Sequence, residues 1–77
     1  MKYVEMSDRD VYALETLYKC YIRPTSVTKK WVTRMITATK KGRFATDYQI
    51  KEIWHLVYGF RGQIKDGDLI KEAKEKL

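Results

Sequence analysis

Apolar residues recur at three- and four-residue intervals along most of this chain, and polar or Gly/Pro punctuation divides that pattern into helical segments. In the first, Val11, Leu14, Leu17, Tyr18, Tyr21 and Ile22 fall on one face. Ser7 can cap it, Asp10 at the third helical position makes an approximate capping box, and Met6 with Val11 suits a hydrophobic staple. Pro24 disfavours helix at Arg23, so the spacing predicts an end near Ile22.

The second segment predicts a helix from about Ser26 to Lys41. Ser26 or Thr25 can cap it, Gly42 can end it, and Lys40 and Lys41 suit the negative end of its dipole. Its β-branched residues (Val27, Thr28, Val32, Thr33, Ile36, Thr37, Thr39) favour strand by composition. Spacing decides for helix. Trp31, Met35 and Ala38 share a face with Val32 and Thr39 beside them, and alternation fails at the adjacent pairs Trp31-Val32 and Met35-Ile36.

Thr46 followed by Gln49 is a capping box for a third helix. There Ile50, Ile53, Trp54, Leu56, Val57, Tyr58 and Phe60 cover more than half the circumference, as expected of a central helix. Gly59 and Gly62 mark its end. In the tail, Asp66 or Asp68 can cap a last helix lined by Leu69, Ile70, Ala73 and Leu77, with Lys71-Glu75 and Glu72-Lys76 as i,i+4 pairs on its solvated back. The expected fold class is all-α: one compact single domain over residues 1–77, of three main helices plus a short C-terminal helix.

Composition adjusts this picture in two ways. A chain of 77 residues buries only about 60% of its unfolded surface. Its two Trp, six Tyr and two Phe therefore matter to a small core. Cys20 is the only cysteine, which excludes an internal disulfide and, with no apolar signal core at Met1–Glu5, points to a cytoplasmic location. No apolar stretch approaches the ~20 residues that span a bilayer, so no membrane partner is expected.

Charge changes the picture most. Between Thr16 and Thr46 stand eight basic residues and no acid: Lys19, Arg23, Lys29, Lys30, Arg34, Lys40, Lys41 and Arg43. The formal charge of +6 is concentrated in this middle third, and such segregation creates a local field that attracts polyanions. On the second helix Lys30, Arg34, Thr37 and Lys41 stay within roughly 60° of one another at about 100° per residue. Lys29, Thr33 and Lys40 form a flanking row. An ordinary exposed face mixes signs; this one does not.

Such a ridge matches the regular phosphates of nucleic acid, and hydroxyls of Thr25, Ser26, Thr28, Thr33 and Thr37 can donate to phosphate oxygens. The expected nucleic-acid contacts are Lys29, Lys30, Arg34, Lys40, Lys41 and Arg43 on phosphates, with Thr28 and Thr33 holding register and Arg34 the candidate for a guanine edge. Trp31 is assigned to the core, although binding of single strands would use such a ring. The link Arg23-Pro24-Thr25 makes the arrangement helix-turn-helix-like, without the usual turn glycine.

Other chemistry is sparse. One Cys and one His (Cys20, His55) cannot form a structural zinc site, and no spacing joins them as a nucleophile and base. Asp66-Gly67-Asp68 lacks the later ligands of a calcium loop, and Gly59–Gly62 lacks the phosphate-loop lysine. Catalysis, a metal and a cofactor are therefore not expected.

Tyr12, Ala13 and Cys20 fall opposite the apolar face of the first helix, and Tyr48 lies outside that of the third. Tyr12, Cys20 and Tyr48 thus become candidates for a partner or homodimer interface. The leading expectation is a DNA-binding regulatory or accessory protein acting on duplex DNA. The alternative is a small inhibitor or adaptor, of the kind a virus or mobile element encodes, docking its basic face on an acidic surface of a larger protein.

Overall fold

Side-chain oxygens start all four helices of the molecule, described over residues 2–77 in a computed structural model. Ser7 Oγ accepts from the Asp10 N–H at 3.1 Å, and Asp10 Oδ2 accepts from the Ser7 N–H at 3.0 Å, launching α1 (Asp8–Lys19). Ser26 Oγ accepts from the Lys29 N–H at 3.1 Å and launches α2 (Val27–Lys41). Thr46 and Gln49 form the second reciprocal box, launching α3 (Asp47–Gly59). Asp66 Oδ1 accepts from the Leu69 N–H at 3.1 Å and launches α4 (Gly67–Lys76). Each such cap contributes about 1 kcal/mol.

Two short strands add to the predicted helices. β1 (Tyr3–Glu5) and β2 (Phe44–Thr46) pair antiparallel, with Val4 opposite Ala45. The Met6 N–H donates to the Arg43 carbonyl at 2.7 Å and extends the ribbon. Its underside closes the core with Ala45, which is fully buried. The ribbon delivers the chain directly from α2 to the Thr46 cap of α3.

Helix α3 is central. It packs against α1, α4 and β2, and Ile53, Trp54 and Val57 lie fully inside. Leu14 and Leu17 of α1 and Leu69 and Ala73 of α4 meet them in one cluster. Buried among these, Asp10 Oδ1 accepts from Trp54 Nε1 at 2.8 Å. One carboxylate thus completes the cap of α1 and satisfies the indole N–H of α3.

Helix α1 ends at Lys19, not near Ile22. Beyond it the backbone is extended, and alternation replaces helical spacing: Cys20 and Ile22 point in while Tyr21 points out. The Gln63 amide fixes this stretch, accepting from the Tyr21 N–H at 2.7 Å and donating to the Tyr21 carbonyl at 2.9 Å. A single 3-10 turn (Arg61–Gln63) after α3 brings that amide into place. The link from α1 to α2 is therefore Cys20–Ser26, not the three-residue link expected of a helix-turn-helix-like motif. Tyr18 and Tyr21, expected in the core, are exposed, whereas Ala13 and Cys20, expected outside, are buried.

Helix α4 docks on α1 through polar groups. Glu72 pairs with Arg9 at 2.9 Å instead of with Lys76, whose ammonium lies 5.0 Å from the centroid of Trp54. The Lys71-Glu75 pair is likewise not made among the described residues. Tyr12 Oη donates to Asp66 Oδ2 at 2.9 Å. That bond, with the Leu69 N–H, holds the Asp66 carboxyl below its ordinary range and raises the Tyr12 phenol above its own.

Two outcomes test this frame. Asp10→Ala leaves the Trp54 N–H buried without an acceptor, so it should cost about 2 kcal/mol and lower Tm by roughly 8–16 °C for a domain of this size, measured by thermal unfolding. Trp54→Phe should couple to it non-additively in a double-mutant cycle. The depressed Asp66 carboxyl favours the folded state above its unfolded-state pKa, and that contribution is lost as pH falls through its folded value. Tyr12→Phe removes the largest cause, so the Asp66 titration followed by NMR should move up toward the ordinary carboxylate value. The stability gap between Tyr12→Phe and the parent, present at neutral pH, should narrow in acid.

Candidate nucleic-acid interface

Helix α2 is held by few buried side chains, and this is what frees its charged face. Only Val32 and Met35 are buried, with Trp31, Ile36 and Thr39 partly so. At about 100° per residue, the inward row Val32–Met35–Ile36–Thr39 is rotated roughly 80° from the expected row of Trp31, Met35 and Ala38. Ala38 is consequently exposed and Trp31 rises to the rim of the core.

Opposite the inward row Lys30, Arg34, Thr37 and Lys41 are exposed, as are Thr33 and Lys40 at its flank, whereas Thr28 and Lys29 lie on the inward side of the helix and are half-buried. Among the described residues Lys30, Arg34, Lys40 and Lys41 make no ion pair. Pro24, Lys29, Lys30, Thr33 and Arg34 line a broad, open concavity of about 550 Å³ with no carboxylate in its wall. The other end of the helix differs. Arg43 donates to Asp8 Oδ1 at 2.8 Å, and Glu15 lines a groove together with Lys40 and Arg43. Lys30 and Arg34 thus stand where no carboxylate shares their concavity.

Several expected contacts are already engaged. Arg43 is paired with Asp8. The Lys29 ammonium sits 4.9 Å from the centroid of the Tyr18 ring, a cation–π contact. Thr37 Oγ1 donates to the Thr33 carbonyl at 3.0 Å, and Ser26 Oγ donates to the Arg23 carbonyl at 2.8 Å, so neither hydroxyl proton is free for a phosphate. Thr28 and Thr33 have hydroxyls with no hydrogen bond among the described residues.

The expected interface residues separate. Tyr12 is tied to Asp66, with the Arg9 guanidinium 5.3 Å from its ring centroid, and so serves the α1–α4 contact. Cys20 is buried, and burial pushes its thiol pKa up, away from a reactive thiolate. Tyr48 is 72% exposed.

Tyr48 shares a small groove with Val27, Thr28 and Trp31 of α2 and with Glu52 and Leu56 of α3. Sequence reasoning missed this groove. The available signal was a second apolar row on α2, Val27, Trp31 and Ala38, in excess of what the core needs. With no match among known protein-family models, curated proteins or solved structures, the case for a function rests on this geometry.

Proposed function

We propose that the protein is a small nucleic-acid-binding accessory factor that lays the cationic face of α2 along duplex DNA. The observation that carries this is the outward ridge of Lys30, Arg34, Lys40 and Lys41, unpaired among the described residues and flanked at its Lys30–Arg34 end by an acid-free concavity. A lone helix of about 10–12 Å diameter fits a major groove about 12 Å wide. Helix α2 can approach one because its ridge face is exposed. Lys30, Lys40 and Lys41 would sit on phosphates, with Lys29 beside them and the Thr33 hydroxyl as a register contact; Thr28, expected in that role, faces the core side of the helix instead. Arg34 would reach a guanine edge.

A second reading, docking on an acidic protein surface, draws on the exposed rings of Tyr3, Tyr21 and Phe44. Exposed aromatics of this kind are typical of protein interfaces. Under that reading a stoichiometric partner persists after nuclease treatment, whereas under the first the retained material is nucleic acid.

Titration against random duplex at several salt concentrations is the direct test. About four phosphate contacts predict a slope of log affinity on log salt between roughly −3 and −4. Changing Lys30, Arg34 and Lys41 together to Ala should leave the fold intact and remove about two units of that slope, for the Lys30 and Lys41 phosphates, with Arg34 assigned to a base edge. Asp8→Asn should release Arg43 and steepen the slope by about one unit. Absence of binding even at low salt would remove the proposal.

A further inference from the structure

The groove between the start of α2 and the outer side of α3 has the chemistry of a base-binding site. Its volume is about 150 Å³, below the roughly 300–1,000 Å³ of small-molecule pockets, so it suits one planar ring. Trp31 and Tyr48 line it, and both are accessible. Val27 and Leu56 add apolar surface, and Val27 is 83% exposed although it lies in a helix.

Charge tells what kind of ring belongs there. Lys30 stands about 60° around the helix from Val27, and Arg34 about 60° from Trp31, so the cationic ridge borders the groove along α2. Inside it the one ionisable group besides Tyr48 is Glu52, which makes no ion pair among the described residues. A carboxylate here repels phosphate and accepts N–H donors. A nucleotide meeting this surface is thereby oriented with phosphate toward Lys30 and Arg34 and base edge toward Glu52. Aromatic stacking beside a cationic track is the general mode of single-strand recognition.

We propose that this groove holds one unpaired nucleobase, stacked on Trp31 and Tyr48, with Glu52 accepting from its amino or imino N–H, while the adjoining phosphates lie on α2. The inference rests on the nucleic-acid reading and narrows it: the preferred substrate carries unpaired nucleotides, as in a single strand or an overhang.

The full chain provides its own reporter, because Trp54 is 1% exposed and silent to ligand whereas Trp31 is accessible. A short mixed-sequence single strand, its blunt duplex and inorganic polyphosphate are titrated while tryptophan fluorescence and affinity are followed separately. The single strand should quench Trp31 strongly. Polyphosphate, a polyanion without bases, should bind with the same sense of salt dependence and leave the emission unchanged. Trp31→Phe should abolish the quench. Tyr48→Ala should weaken single-strand binding on the order of tenfold and leave polyphosphate affinity as it was.

Glu52→Leu separates the roles by sign. Removal of a negative charge should strengthen polyphosphate binding, yet loss of the acceptor should weaken binding of the single strand. Strengthened binding of both ligands in Glu52→Leu, or unchanged single-strand affinity in Tyr48→Ala, overturns the base site while duplex binding by the ridge stands. Failure of every polyanion to bind at low salt overturns both. A concentration-dependent dimer that Tyr48→Ala dissolves, seen by sedimentation, assigns the groove to a second copy and overturns the proposal.

Discussion

The hydrogen bond from Trp54 Nε1 to Asp10 Oδ1 is the constraint on which the arrangement turns. It ties the first turn of α1 to the middle of α3, and its other carboxylate oxygen is committed to the Ser7 cap. Helix α3 organises the core, but α2 packs chiefly on α1. The direction in which the cationic face looks is therefore set at second hand, through the seating of α1 on α3. Buried carboxylates are costly unless fully satisfied. Here a backbone N–H and an indole N–H supply the satisfaction, and no buried side-chain polar atom among the described residues lacks a partner.

Charge segregation along the chain becomes charge segregation in space only in part. The N-terminal acids do come near the basic segment: Asp8 reaches Arg43, and Glu15 faces the groove that holds Lys40. They approach because the ribbon of β1 and β2 draws the end of α2 back beside the start of α1. At the opposite end no acid lines the concavity of Lys30 and Arg34, and Glu52, in the neighbouring groove of Val27, Thr28 and Trp31, makes no ion pair among the described residues. One helix thus differs along its length, with Arg43 paired at one end and Lys30 and Arg34 unpaired at the other among the described residues. Sequence position alone shows the acid-free run but not this asymmetry.

What could be read in the chain was local. The caps at Ser7, Ser26, Thr46 and Asp66 depend on residues three positions apart, and each starts a helix where the spacing placed it. The central place of α3 followed from the width of its apolar face. What could not be read depends on partners far along the chain. The Tyr21 backbone leaves the helix because Gln63, distant in sequence, offers a paired donor and acceptor. The ribbon uses runs too short to show alternation. With α2 rotated, Trp31, a core residue by spacing, packs on the rim of the core and also lines a surface groove. The rotation turns the ridge of Lys30, Arg34 and Lys41 outward, because it lies opposite the observed inward row but only about 90° from the expected one. Cys20 was misplaced for a related reason, since its surroundings come from the extended link.

Helix α2 also contains an electrostatic conflict. Its first turn has no acid, and Lys29 and Lys30 stand near the positive end of its dipole. Cations there are unfavourable by roughly 0.3–1 kcal/mol each when exposed. The Ser26 cap offsets part of this, and the Tyr18 ring takes up Lys29 through its π face. Lys30 has no comparable contact among the described residues. With only Val32 and Met35 buried, this helix has little packing to absorb the cost. An anion at this end would relieve the dipole and the lysine charge together, so the strain within the free protein and the proposed affinity for a polyanion have one origin.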